Sequence, residues 1–172
     1  MNTLFAWTAL SGFFLALAAH IAAICGVDVG GRYPFVWGLH LGIFIVFIPM
    51  TFSMKKTLGA KPAMAQIRAE FPRWVVLLGA GMMAYTLINF LLFALNTQGG
   101  SADLQDGKYV LHNHGKLIRE ISESEYRQCM ANFARGISGH WLFFYFFSFA
   151  WFKLRKNPDS GPATPDNAAG KP

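Results

Sequence analysis

The chain has 172 residues, of which 53% are hydrophobic and only 14% are charged, and its formal net charge is +6. Soluble domains carry about 25% charged residues, so this composition argues against an ordinary soluble domain. The basic residues lie between long apolar segments, where they act as a membrane-topology signal, so we expect no nucleic-acid partner. Asp, Glu, Lys and Arg are absent from residues 1–27, 33–54, 74–102 and 136–152.

The uncharged stretches predict four transmembrane helices. An α-helix needs about 20 apolar residues to cross a bilayer core of about 30 Å, and three of the stretches reach that length. The fourth is shorter, but Lys153 and Arg155 can extend it by snorkelling to the interface. The predicted fold is an all-α membrane protein, a four-transmembrane-helix bundle with spans at about 4–26, 34–54, 74–96 and 137–154.

The loops between these spans differ in basic charge, which predicts their orientation. The 55–73 connection carries five basic residues against one acidic residue, whereas the 97–135 loop has five of each. Because loops rich in Lys and Arg stay in the cytoplasm, we expect a multi-pass protein of the bacterial inner membrane with both termini cytoplasmic. Residues 1–156 form the predicted membrane domain, and the Pro- and Gly-rich tail at 157–172 is expected to be disordered.

The loop between the third and fourth spans is predicted to form a small folded cap on the outer side. Residues 108–112 and 116–121 have strand-like content and flank a turn signal at 113–115, so they are expected to form a β-hairpin. Ser122 or Ser124 is then expected to cap a helix that runs through Arg135, and Ser122 and Glu125 have the spacing of a capping box.

Histidine and asparagine side chains form a predicted polar layer near the outer surface. His20 and His40 each lie about 9 Å below that surface, His140 lies about one turn into the fourth span, and Asn89 lies about 10 Å deep. Imidazole is costly in hydrocarbon and is also a common metal ligand, so this layer needs an explanation. The short connection between the first two spans makes them neighbours, so we expect His20 and His40 to face each other.

Four interpretations of this polar layer stay open. Haem b requires two axial imidazoles from facing helices, and His20 and His40 both have small residues beside them. A zinc, copper or iron site would use His20, His40 and His140. In a quinone or lipid-headgroup site, His140, Trp141 and Asn89 would supply hydrogen bonds and an aromatic wall. The structural alternative is interhelical hydrogen bonding alone, at about 0.6 kcal/mol for each bond.

Two further pairs of residues are site candidates on the outer side. His112 and His114 would point the same way in a continuous strand and add two ligands to a metal site. A hairpin turn destroys that alignment, and the turn is the favoured interpretation. An oxidising periplasm would allow a disulfide between Cys25 and Cys129. Free thiols are the favoured alternative, because membrane-embedded Cys often serves as a small apolar side chain.

These features predict a small polytopic membrane protein, and we expect no stand-alone enzymatic activity. The leading hypothesis is a subunit that uses the outer-leaflet histidines to hold haem b or a transition metal for electron transfer or metal handling. The alternative is a non-catalytic accessory or assembly protein that binds a larger membrane complex through glycine-lined helix faces and the outer cap. The expected partners are the lipid bilayer and other membrane-protein subunits.

Overall fold

The computed structural model describes residues 2–156, which are mostly helical; the tail predicted at 157–172 lies outside them. The helices in this part of the chain are α1 (Asn2–Ile24), α2 (Val29–Arg32), α3 (Gly38–Leu58), α4 (Met64–Ala69), α5 (Arg73–Asn96) and α6 (Glu123–Phe149). A 3₁₀ turn (Pro34–Trp37) leads into α3, and a π-helical turn (Ala150–Leu154) continues α6. Three strands, β1 (Ser101–Gln105), β2 (Lys108–Asn113) and β3 (Lys116–Glu120), lie between α5 and α6.

Three helical segments within the described residues are long and apolar enough to cross a membrane. They are α1, the segment Pro34–Leu58 that contains α3, and α5. They correspond to the three longer predicted spans and are consistent with a membrane protein. Of the 24 residues of α5, only Val75 and Asn89 are buried, so most of its apolar side chains face outward. The four-span count stays a prediction.

The helix α6 lies at the centre of the helical part, packed against α1, α3 and α5. None of residues 137–152 is exposed, although this stretch includes the π-helical turn. Tyr145 shows how closely the helices approach: its ring lies against Gly12 of α1 and its hydroxyl oxygen lies against Gly42 of α3, and a methyl group at either glycine would overlap it. Its hydroxyl donates to the carbonyl of Leu39 at 2.7 Å. Small residues therefore allow the outer helices to surround a bulky central helix.

The prediction of a separate outer-loop helix followed by a fourth span at 137–154 is wrong in one respect. The chain forms a single helix from Glu123 to Phe149, continued by the π-helical turn, with no break between the two predicted segments. The boundary was inferred from the change in charge pattern, and no proline interrupts the helix there. The predicted capping box at its start is confirmed, since Ser122 and Glu125 each accept a hydrogen bond from the other's backbone N–H.

The sheet is antiparallel in the order β1-β2-β3, with the predicted hairpin confirmed as β2 and β3. His114 and Gly115 form the turn with positive φ angles, as the turn interpretation required. The strand β1 was not predicted; it pairs with β2 through a second tight turn at Asp106 and Gly107. The sheet packs beside the start of α6, near the C-terminal ends of α1 and α5, and we call this end of the molecule the sheet end.

Candidate functional site

His20 is buried, and both of its ring nitrogens are hydrogen-bonded. Nδ1 lies 2.8 Å from Ser138 Oγ of α6, and Nε2 lies 2.5 Å from the Tyr85 hydroxyl of α5. The Ser138 hydroxyl donates to the carbonyl of Ala134 at 2.7 Å, so its oxygen accepts from His20 Nδ1–H. Nε2 then accepts from Tyr85, and neither ring nitrogen of His20 is free for a ligand.

His40 and His140 form a second cluster, on the side of α6 that faces α3. Their ring centroids are 5.5 Å apart and their planes are perpendicular. Trp141 Nε1 donates to His40 Nδ1 at 3.0 Å, so a neutral His40 carries its proton on Nε2. His140 contacts neighbouring aromatic rings, and within residues 2–156 no hydrogen bond reaches its ring nitrogens. This cluster therefore presents one N–H donor and one unbonded imidazole.

These contacts differ from the expected pairing of His20 with His40. The pair that the structure brings together is His40 with His140, whereas His20 binds Tyr85 and Ser138. Depth along a helix can be read from the sequence, but the direction in which each side chain faces depends on packing. Among the described residues, no three His, Cys, Asp or Glu side chains are grouped so that they could hold a metal ion.

Asn89 and Arg135 form a third polar cluster, at the interface of α5 and α6. Asn89 is 2% exposed, and its Nδ2 donates to the backbone carbonyl of Arg135 at 3.0 Å. Asn89 Oδ1 accepts from one guanidinium nitrogen of Arg135 at 3.1 Å, and Asn132 Oδ1 accepts from another at 2.8 Å. Within residues 2–156, no carboxylate forms an ion pair with Arg135. Two neutral amides thus hold this guanidinium without neutralising its charge.

Arg135 lines a cleft of about 390 Å³ at the sheet end, between α6, the end of α1 and the sheet. Arg119 of β3 lines the same cleft and donates to Gln98 at 3.0 Å and to Glu125 at 2.9 Å. Its hydrogen bond, together with the backbone N–H of Ser122, lowers the pKa of Glu125 to about 2. The charged lining is two guanidinium groups and one carboxylate, so the cleft carries a net positive charge.

The other predicted site residues lie in or beside the sheet end. His112 Nε2 is 3.8 Å from Asp103 Oδ2 across β1 and β2, while His114 is exposed in the turn. Cys25 and Cys129 are both free thiols in the structure. A disulfide between them under oxidising conditions stays a prediction. Burial raises the pKa of the Cys129 thiol, which favours its neutral form.

Several polar residues on α5 and α6 were not among the predicted site residues. A helical signal was present: Tyr85 lies four residues before Asn89, which puts both on one face of α5. Arg135 is the last charged residue before an uncharged stretch, a position that is also typical of ordinary interfacial arginines. The residues that the structure adds to the site are Tyr85, Asn132, Arg135 and Ser138.

Comparison of this chain with models of protein families, with curated proteins and with solved structures finds no match.

Proposed function

We propose that this chain is a four-span protein of the bacterial cytoplasmic membrane, with both termini in the cytoplasm. The burial of residues 137–152 among three apolar helices supports α6 as the fourth span, because a central helix can be less hydrophobic than its lipid-facing neighbours. The basic 55–73 connection supports an outward location for the sheet end. Reporter fusions after Pro62 and after Gly115 should report opposite sides of the membrane; the same side for both would contradict this topology.

The function that the geometry supports best is non-catalytic binding of an anionic group at the sheet end. The observation that carries it is Arg135, a partly buried cation that has no carboxylate partner among residues 2–156. Charged groups near hydrocarbon are costly, and they are normally paired or functional. Asn89 and Asn132 satisfy hydrogen bonds of the guanidinium but leave its charge uncompensated.

The chemistry of the cleft fits an anionic ligand. A guanidinium has five N–H donors, and the two amide oxygens that bind Arg135 leave donors for a phosphate or carboxylate. At an effective dielectric constant of about 20, an anion about 4 Å from the charge gains about 4 kcal/mol of Coulomb energy before desolvation is counted. Arg119 lies in the same lining and forms an ion pair with Glu125, so the charge of Arg135 leaves the cleft with a net positive charge. Such binding suits an accessory or assembly protein.

Binding of inorganic phosphate to the full chain in detergent tests this proposal. Phosphorus NMR should show phosphate line broadening with the wild-type protein and its loss with Arg135→Gln. Arg135→Lys keeps the charge and should retain weaker binding. Arg127→Gln is the matched control, because Arg127 is an exposed residue of the same helix and pairs with Glu123 outside the cleft. Equal broadening by the wild type and by Arg135→Gln would contradict the proposal.

A second candidate function is haem or metal binding at the pair of His40 and His140, without His20, which the prediction had included as a ligand. It is favoured by the unbonded ring of His140 within residues 2–156, 5.5 Å from the ring of His40. Ligation through His40 Nε2 would require its proton to move to Nδ1 and the bond to Trp141 to break. A Soret band or bound metal that is lost in His140→Ala would support this candidate. A colourless, metal-free protein would contradict it.

A further inference from the structure

A second cleft of about 350 Å³ adjoins the one that Arg135 lines. The two clefts share three lining residues, Asn96, Cys129 and Asn132, so the second cleft lies next to the cationic group. Its remaining lining is mainly apolar, with Phe93 of α5 and Phe133 of α6 among the large side chains. A charged cleft and an apolar cleft therefore lie side by side at the sheet end.

The apolar cleft lies against the part of the molecule that is suited to face lipid. Phe93 belongs to α5, one of the three helices long and apolar enough to span a membrane. Its neighbours Leu92 and Leu95 are 44% and 69% exposed, and Phe133 is itself 42% exposed. A molecule whose chains stay in the hydrocarbon layer can thus reach the second cleft along α5 without bringing apolar surface into water.

We propose that the two clefts together bind a membrane lipid with an anionic phosphate headgroup. The phosphate lies between the guanidinium groups of Arg135 and Arg119, and an acyl chain lies against Phe93 and Phe133. This inference rests on the proposed function, since it names the class of molecule that carries the anion. A lipid would occupy both clefts, whereas a free anion would occupy only the charged cleft.

The depth of Arg135 supports a lipid over a small soluble anion. Its guanidinium binds Asn89, which lies seven residues, or roughly 10 Å, before the end of α5. In the proposed topology this is at or below the level of the lipid headgroups. A lipid is already concentrated and oriented at that level. A single basic residue contributes about 1 kcal/mol to attraction of an anionic lipid near the membrane surface, which corresponds to roughly a fivefold change in affinity.

The test is native mass spectrometry of the full chain, titrated in detergent with phosphatidylglycerol or with zwitterionic phosphatidylcholine. We expect phosphatidylglycerol to bind about fivefold more tightly, and Arg135→Gln to remove this preference. Phe133→Ala should weaken phosphatidylglycerol binding while leaving the phosphorus NMR signal of inorganic phosphate unchanged. Phe14→Ala is the matched control, because Phe14 is a 59% exposed phenylalanine of α1 that lines neither cleft.

The outcomes separate the lipid inference from the proposed function. If inorganic phosphate binds through Arg135 but the two lipids bind equally, the lipid inference is overturned and anion binding stands. If neither phosphate nor phosphatidylglycerol binding depends on Arg135, both are overturned. Should Arg135→Gln fail to fold, Arg119→Gln replaces it, and an unchanged lipid preference in that variant overturns the inference.

Discussion

The bond from Tyr85 to His20 allows a direct measurement of how much polar contacts between helices stabilise this protein. Tyr85→Phe removes only the hydroxyl that donates to His20 Nε2 at 2.5 Å. Interhelical hydrogen bonds in membrane proteins contribute about 0.6 kcal/mol on average and about 1.7 kcal/mol at most. We expect a loss near the upper value, because His20 is 2% exposed and its released nitrogen has little access to water. His20→Ala also breaks the bond to Ser138 and should lower the free energy of unfolding by roughly 1–3 kcal/mol.

The assay is unfolding by SDS in mixed micelles, followed by far-UV circular dichroism, for the two single variants and the double variant. The double variant should lose less than the sum of the single losses, by about the energy of one hydrogen bond. Tyr33→Phe is the matched control: Tyr33 is 44% exposed, close to the 41% of Tyr85, and its hydroxyl makes no hydrogen bond within residues 2–156. Strict additivity would refute the reasoning, because Tyr85 and His20 would then stabilise the protein independently.

Two further predictions concern helix packing and the cap. A methyl group at Gly12 would overlap the ring of Tyr145, so Gly12→Ala should lower the free energy of unfolding by roughly 1–3 kcal/mol. Gly81→Ala, where no atom lies within 4 Å of the added methyl group, is its control and should have little effect. Hydrogen bonds from Arg119 and then from the Ser122 backbone lower the pKa of Glu125 from its usual 4.5 to about 2, so these contacts stabilise the cap above pH 4.5 and lose that effect as the pH falls towards 2. Hydrogen exchange at the start of α6 should accelerate over this range in the wild type but much less in Arg119→Gln; a flat wild-type profile would contradict the prediction.

Short stretches of the sequence predicted those elements of the fold that are determined by residues close together in the chain. Long uncharged stretches identified the three apolar helices, a turn signal at 113–115 identified the hairpin, and the spacing of Ser122 and Glu125 identified the start of α6. The strand β1 was missed because Ser101–Gln105 has one large apolar side chain, Leu104, which is 53% exposed. This strand forms because it pairs with β2, and the pattern of its own residues would not predict a strand.

The candidate site was predicted less completely, because depth along a helix does not fix the direction of a side chain. His20 and His40 were expected to meet at similar depth, but α6 lies between the outer helices and takes a different partner from each. Ser138 accepts from His20, and Trp141 donates to His40. Arg135 was overlooked for a related reason: its charge indicated the end of a loop, and only the packing of α5 on α6 brings Asn89 to its guanidinium.

The central position of α6 connects the fold to the proposed function. Three apolar helices surround its second half, so its polar side chains avoid lipid by packing and need no charged partners there. Arg135 lies just before the stretch of α6 that the three helices surround, and it lines the cleft at the sheet end. Asn89 and Asn132 supply hydrogen bonds to its guanidinium, but they supply no negative charge. A ligand that brings such a charge binds the folded chain and not the unfolded one, so it raises the free energy of unfolding by RT ln(1 + [L]/Kd). Anion binding at the sheet end should therefore be measurable as increased stability as well as occupancy, and this increase should disappear with the Arg135 charge.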